Sequence, residues 1–296
     1  MDARVGRRQD RRLPLPVTLA LLLGLAAAAS ADEQEWQERL QEGLAAHHAG
    51  DYAAAAAALE RALAETRDFA ANDRRVADTA NNLAAVYRAL GRYGEAEPLY
   101  RRSLEIYEKA GANVATALNN LAVVIELQGR YGEAEPLYRR ALALYREAFG
   151  DAHPGTAAAL VNLARLQVAR ERYAEAEPLA KRGLAIAEQA LGPEHPGVAA
   201  AMIVLARSQA GQGRRAAAER NARRALAIYE EALGPEHPHC AIALQALAEI
   251  ERSRGRTAQA RALYERSLAI RSRSLGDAHP DTAATRAALE RMTGGR

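Results

Sequence analysis

The chain has 296 residues, 49% of them hydrophobic but only 5% aromatic. Alanine and leucine dominate while strand-favouring types are scarce, so an all-α fold is expected. The net charge of +3 is carried by residues 1–31, where Arg4, Arg7, Arg8, Arg11 and Arg12 outnumber Asp2 and Asp10; the formally neutral remainder lacks the basic field that nucleic-acid binding requires.

At the N-terminus, a basic segment from Arg4 to Arg12 precedes an apolar run, Val17 to Ala29, interrupted only by Thr18 and Gly24. Ala29-Ser30-Ala31 then offers a small-x-small cleavage site. This is the layout of a secretory signal peptide over residues 1–31. The run is shorter than the roughly 20 residues that span a bilayer as a helix. The expectation is an exported chain, periplasmic or secreted, with an inner-membrane anchor as the alternative if the segment stays uncleaved. The only membrane contact expected is through that segment. The lone Cys240 allows no intramolecular disulfide, so packing alone must hold the mature chain together.

From residue 32 to 292 the chain repeats itself. Arg92-Tyr-Gly-Glu-Ala-Glu-Pro-Leu-Tyr100 recurs at Arg130–Tyr138 and, slightly altered, at Arg172–Ala180, with weaker copies from Arg214 and Arg256. Successive copies are spaced by 38 residues and then three times by 42, and Gly50-Asp51-Tyr52 leads them. Such a period marks a stacked-repeat architecture. Within a unit, Ala80, Leu83, Ala84, Tyr87 and Leu90 form one helical stripe. Ala96, Leu99, Tyr100, Ser103, Leu104 and Tyr107 form a second. Gly91, Gly129 and Gly213 fall between the two helices, where a tight turn needs positive φ. Pro98, Pro136 and Pro178 lie about one turn into the second helix, close enough to its start to be tolerated.

The units are joined by Gly150-Asp-Ala-His-Pro154, Gly192-Pro-Glu-His-Pro196, Gly234-Pro-Glu-His-Pro238 and Gly276-Asp-Ala-His-Pro280. The glycine stops one helix and the proline opens the next. These features predict an all-α, right-handed superhelical solenoid of antiparallel helix pairs, about six of them. The units fall near 36–69, 73–110, 112–149, 155–191, 197–233 and 239–275. Residues 281–292 repeat the first-helix pattern weakly and read as a polar C-terminal capping helix.

Leu-Ala-x-x-Tyr, then Gly-Arg-Tyr-x-Glu-Ala, then Leu-Tyr-x-Arg-Ser/Ala-Leu resembles the tetratricopeptide repeat. The 42-residue period with its Gly-x-x-His-Pro linker resembles the kinesin light chain type of that repeat, over about residues 36–292. Two features depart from the pattern. The second helix of the first copy, Ala53 to Ala58, has little side-chain bulk, and the fifth and sixth copies lack the Glu-Pro pair. The resemblance is specific for fold and nearly silent on function.

No motif points to catalysis, a cofactor or a metal. His153, His195, His237 and His279 recur once per unit, and packed units lie roughly 10 Å apart. Zinc ligands must converge within about 2 Å of the metal, so these histidines read as capping or packing groups at turns. His237-Pro-His239-Cys240 gathers three possible ligands, but the proline and helix start splay them. Cys240 takes a place held by small residues in other units and reads as packing rather than as a nucleophile, which would need a base beside it. His47-His48, at a helix end, reads as solvated. The carboxylates at Glu95 and Glu97, and at Glu133 and Glu135, suit a helix N-terminus.

Asparagines carry the functional expectation, because their helix propensity is poor. The resemblance implies that the residue before the conserved leucine faces the concave groove. Asn82, Asn120 and Asn162 hold that place, and Val204 and Ala246 replace it later. An amide there can both donate to and accept from a guest's backbone; alternatively, the asparagines bond within the stack. One turn on, Arg88, Glu126, Arg165, Arg207 and Glu249 should select the guest by charge. The expectation is a non-catalytic scaffold or adaptor holding a protein or peptide in its groove. An enzyme-associated subunit and a self-assembling envelope module remain as alternatives.

Overall fold

The computed structural model describes residues 17–293, which fold into thirteen α-helices with no strand among the described residues. The first hairpin is α1 (Val17–His48) with α2 (Tyr52–Glu65), followed by a short 3-10 turn at Thr66–Asp68. Five more follow: α3 (Arg74–Ala89) with α4 (Tyr93–Ala110), α5 (Val114–Leu127) with α6 (Tyr131–Phe149), α7 (Pro154–Ala169) with α8 (Tyr173–Leu191), α9 (Pro196–Gly211) with α10 (Arg215–Leu233), and α11 (Pro238–Ser253) with α12 (Thr257–Leu275). The cap is α13 (Pro280–Thr293). Each helix packs on the next, and each odd-numbered helix from α1 to α11 also touches its odd-numbered neighbours, forming one continuous layer. This is the right-handed solenoid expected from the repeat.

The basic part of the N-terminal segment lies outside the described residues. Val17 to Ala31 begin α1, which runs on without a break. No helix among the described residues is long and apolar enough to cross a membrane.

Local chemistry sets the helix ends. The Asp51 and Asp73 side chains accept from Ala54 N–H (3.0 Å) and Arg75 N–H (2.8 Å), capping α2 and α3. In the linkers, Nδ1 of His153 and of His195 accepts from the N–H two residues on (3.0 Å in both), as do His237 (3.2 Å) and His279 (3.1 Å). Each caps the helix that its following proline opens. Gly91, Gly129, Gly213 and Gly255 turn the hairpins with φ between +73° and +79°. In the fourth unit Glu171 takes this left-handed place, with φ +59°. The 38-residue spacing arises because α4, the link after it and α5 are all shorter than their counterparts in later units. A three-residue link, Gly111-Ala112-Asn113, replaces the histidine linker, and α5 has 14 residues where α7, α9 and α11 each have 16.

The core follows from small residues. Alanines at 55, 58, 62, 77, 80, 84, 96, 122 and 134 are wholly buried, which lets backbones approach closely. Tyr100 and Tyr138 are the bulkiest fully buried side chains. Apolar burial of this kind supplies most of the folding free energy, at about 25 cal/mol per Å².

The recurring carboxylates have a role beyond the helix dipole. The first of each pair bonds within its own unit, as in Arg92 to Glu95 (2.6 Å) and Arg130 to Glu133 (2.6 Å). The second reaches the next hairpin turn. Glu97 accepts from Arg130 (2.8 Å) and Gln128 (2.9 Å). Glu135, Glu177 and Glu219 pair with Arg170, Arg214 and Arg254. These bridges fix the register between neighbouring units.

Candidate binding groove

The layer of odd-numbered helices carries the expected groove residues. Asn82, Asn120 and Asn162 are all half-buried, on α3, α5 and α7. Asn120 Nδ2 donates to Asn81 Oδ1 (3.1 Å), and Asn162 Nδ2 donates to Asn119 Oδ1 (2.9 Å). The asparagine just before the conserved leucine in one unit thus reaches back to the first asparagine of the unit before. Bonding within the stack accounts for part of the pattern. Each amide has two N–H donors and a two-lone-pair oxygen, so one such bond leaves capacity for a guest. Asn82 and Asn81 together line a hollow of about 400 Å³ with Leu40, Asp78, Tyr107, Asn113 and Thr116.

The five charged positions divide unequally. Glu126 is only 6% exposed and is not an open groove charge. It accepts from Arg165 Nη1 (2.9 Å) and from the Tyr138 hydroxyl (2.7 Å), and that hydroxyl accepts in turn from Arg165 Nη2 (3.0 Å). Burial pushes the Glu126 carboxyl up, while Arg165 and Tyr138 draw it back. Arg207 lies 3.5 Å from Glu249, which also accepts from Gln245 (2.9 Å). Arg88 forms no ion pair with a carboxylate among the described residues. Its charge acts on His47, His239 and Tyr100. Two neighbouring pairs therefore cancel, and Arg88 is left as a net positive point.

Sequence reading missed Tyr138, Gln245 and Arg271. Arg271, on α12, donates to Gln245 Oε1 (2.6 Å) and to the Asp281 carbonyl (3.0 Å), tying the cap to an inner helix. Its apolar-stripe position in the repeat, where Tyr107 and Tyr229 stand in other units, was the available signal.

His47 is half-buried and packs against Tyr52 at 5.7 Å between ring centroids, so it is not the solvated group expected. Cys240 is buried, and its thiol donates to the Gly234 carbonyl (3.3 Å). Thr156 makes the same contact with Gly150 (2.9 Å). Burial raises the Cys240 thiol further above neutrality, which keeps it protonated and packed. The His237 and His239 rings lie 4.8 Å apart. No group of three metal-ligating side chains is poised for an ion among the described residues.

A family model described as tetratricopeptide repeat matches residues 36–109, 113–189, 168–231, 212–273 and 238–292. Among curated proteins nothing matches the chain. Among solved structures, BtubC (BKLC) from P. vanneervenii is 22% identical, with 75% of this chain and 91% of that chain covered and a TM-score of 0.57. A putative kinesin light chain from Podospora anserina is 26% identical, with 67% and 95% covered and a TM-score of 0.51. NprR, solved with its cognate peptide NprX, is 10% identical, with 89% and 72% covered and a TM-score of 0.68.

Proposed function

The chain belongs to the tetratricopeptide repeat family, and from that premise we propose that it is a non-catalytic adaptor that holds an extended segment of a partner protein in its concave groove. One observation carries the reading. Asn82, Asn120 and Asn162 stand on successive inner helices at matching places, half-buried and with bonding capacity to spare. Spaced amides suit the repeating donors and acceptors of an extended backbone. NprR, which shares the fold, is solved with a peptide; the proposal for this chain rests on its own inner face. The buried Glu126–Arg165 pair and the Arg207–Glu249 pair would fix the groove's shape, leaving Arg88 to favour a guest with a negative charge near the first units.

The signal-like layout of residues 1–31 supports export as the setting, with the adaptor acting outside the cytoplasm.

A random peptide library presented to residues 32–296 tests the reading. Peptides should be retained, and the triple variant Asn82→Ala, Asn120→Ala, Asn162→Ala should lose them at least tenfold while keeping its helical circular dichroism. Equal retention by the variant removes the asparagines from the account. No retention by either chain removes peptide binding.

A further inference from the structure

The fourth linker histidine differs from the other three. His153 and His237 are half-exposed and His195 is exposed, whereas His279 is 7% exposed. No further repeat stacks over it among the described residues. What covers it is the hairpin turn of the second unit, about 190 residues earlier along the chain. A Cβ placed on Gly91 would stand 2.5 Å from Pro280 Cδ and 3.4 Å from His279 Cδ2. At Gly50, Gly129, Gly213 and Gly255, which turn other hairpins, a Cβ would meet nothing within 4 Å. Gly91 is therefore the one hairpin glycine among the described residues whose missing side chain makes room for another part of the chain.

Further contacts lie on the same line. The Ala89 backbone, just before that turn, acts on the His279 ring. Asp281 lies within electrostatic reach of Tyr93, just after it. Arg88 acts on both His47, at the end of α1, and His239, at the start of α11. A cavity of about 620 Å³ is walled on one side by His47, Ala49 and Tyr52, and on the other by Glu236, His237 and Arg273. The hairpin-turn edge of the first two units thus meets the linker edge of the last two and the start of the cap.

We propose that these edges form a reversible intramolecular seam that turns the open trough into an enclosed passage, so that a guest enters the groove only when the seam opens. The seam has the character of a contact that can part. It is made of one glycine turn against one proline and one imidazole, beside a cavity of about 620 Å³, and it lacks the apolar interdigitation that joins consecutive units. Arg88 reaches across it toward His239 and, among the described residues, meets no carboxylate there to pair with. Few buried apolar contacts place such an element at the low end of local stability. The existence of the seam stands on these contacts alone, while its consequence for a guest rests on the groove reading above.

Two measurements on the same chain separate these claims. Cys240→Thr removes the native thiol and keeps the hydroxyl contact that Thr156 makes at the same place. Spin labels on Ala49→Cys and Glu236→Cys then span the cavity. A short, narrow inter-label distance is expected at neutral pH, and a long or broad one overturns the seam. Gly91→Ala should lengthen it, whereas Gly129→Ala, with the same left-handed φ and open space around its Cβ, should leave it unchanged. Equal behaviour of the two variants also overturns the seam. For access, a bulky polyethylene-glycol maleimide should modify Asn82→Cys several-fold faster in the Gly91→Ala background than in the Gly129→Ala background. Equal rates overturn the gating role, and they do so whether or not any peptide binds.

Discussion

Glu126 and Arg165 approach to 2.9 Å across neighbouring inner helices, and the Tyr138 hydroxyl bonds to both. Each member of this triad satisfies another, so removing one leaves a polar group buried without its partner. Arg165→Ala strands the Glu126 carboxylate; losing one member of a buried pair costs about 3–5 kcal/mol, and partial exposure of Arg165 places this case toward the lower end. Burial already holds the Glu126 pKa above its ordinary value, and without Arg165 it rises further. A group whose folded pKa is raised favours the fold below its unfolded pKa and loses that contribution as pH rises through the folded one. Urea denaturation should show the variant's deficit to be larger at pH 8 than at pH 5. A deficit independent of pH would place the cost elsewhere.

The fourth hairpin turn carries a penalty that the others avoid. Glu171 holds φ +59° where Gly91, Gly129, Gly213 and Gly255 stand in other units. A side chain in the left-handed region costs roughly 1–2 kcal/mol, which glycine escapes, although glycine also loses more freedom on folding. Glu171→Gly should raise the unfolding midpoint, with a net gain of about 0.5–1 kcal/mol. An unchanged or lowered midpoint would show that Glu171 makes a contact worth as much as the strain.

The hairpin turns and helix starts were legible because glycine and proline act locally: a positive φ or a missing N–H marks a turn whatever the surroundings. The asparagines were legible as unusual, since a helix gives them no reason to be there. Their bonds to one another were not, because Asn120 meets Asn81 rather than Asn82 only once the offset between helices is fixed. The inward burial of Glu126 was hidden for the same reason: Arg88 and Glu126 occupy matching places, and only the neighbouring unit decides which is covered. His279 reads like His153 in sequence. Its burial depends on the summed rotation of all the units, which no local pattern records.

Acid should weaken the bridges between units in a defined window. Arg214, with Gln212 and Lys181, pulls the Glu177 carboxyl down to about 2 against the opposing effect of burial. Its folded pKa lies below the unfolded value, so its contribution is full above about pH 4.5 and is lost as pH falls from there toward 2. The full shift overstates the effect, because Arg214 is 44% exposed and screened by solvent; a contribution of about 1 kcal/mol is expected. Glu177→Gln should lower stability at pH 7 by about that amount and flatten the acid limb of the stability–pH curve. A variant curve parallel to that of the unchanged chain would contradict the bridge.

Milder acid should act first on the seam. Burial lowers the pKa of both His279 and His47. His279 faces Asp281 on α13, Arg271 on α12 and the Ala89 backbone before the Gly91 turn. The carboxylate and the Ala89 backbone oppose the lowering, and Arg271 adds to it. His47 faces His48 on its own helix, Arg88 on α3 and the Tyr52 ring on α2, with Glu236, His237 and Arg273 on the far wall of the cavity. Both imidazoles are therefore neutral at pH 7 when the edges are closed, and they gain protons more readily once the edges part. The closed form loses stability as pH falls through the ordinary histidine value of about 6.5, well above the range where Glu177 titrates. The distance between labels at Ala49→Cys and Glu236→Cys should lengthen between pH 7.5 and pH 5 while helical circular dichroism stays constant. His279→Gln, which keeps a side-chain amide near Ala89 but cannot take up a proton, should reduce that pH response. A distance that holds steady to pH 5, or a His279→Gln chain that opens just as readily, would remove the histidines from control of the passage.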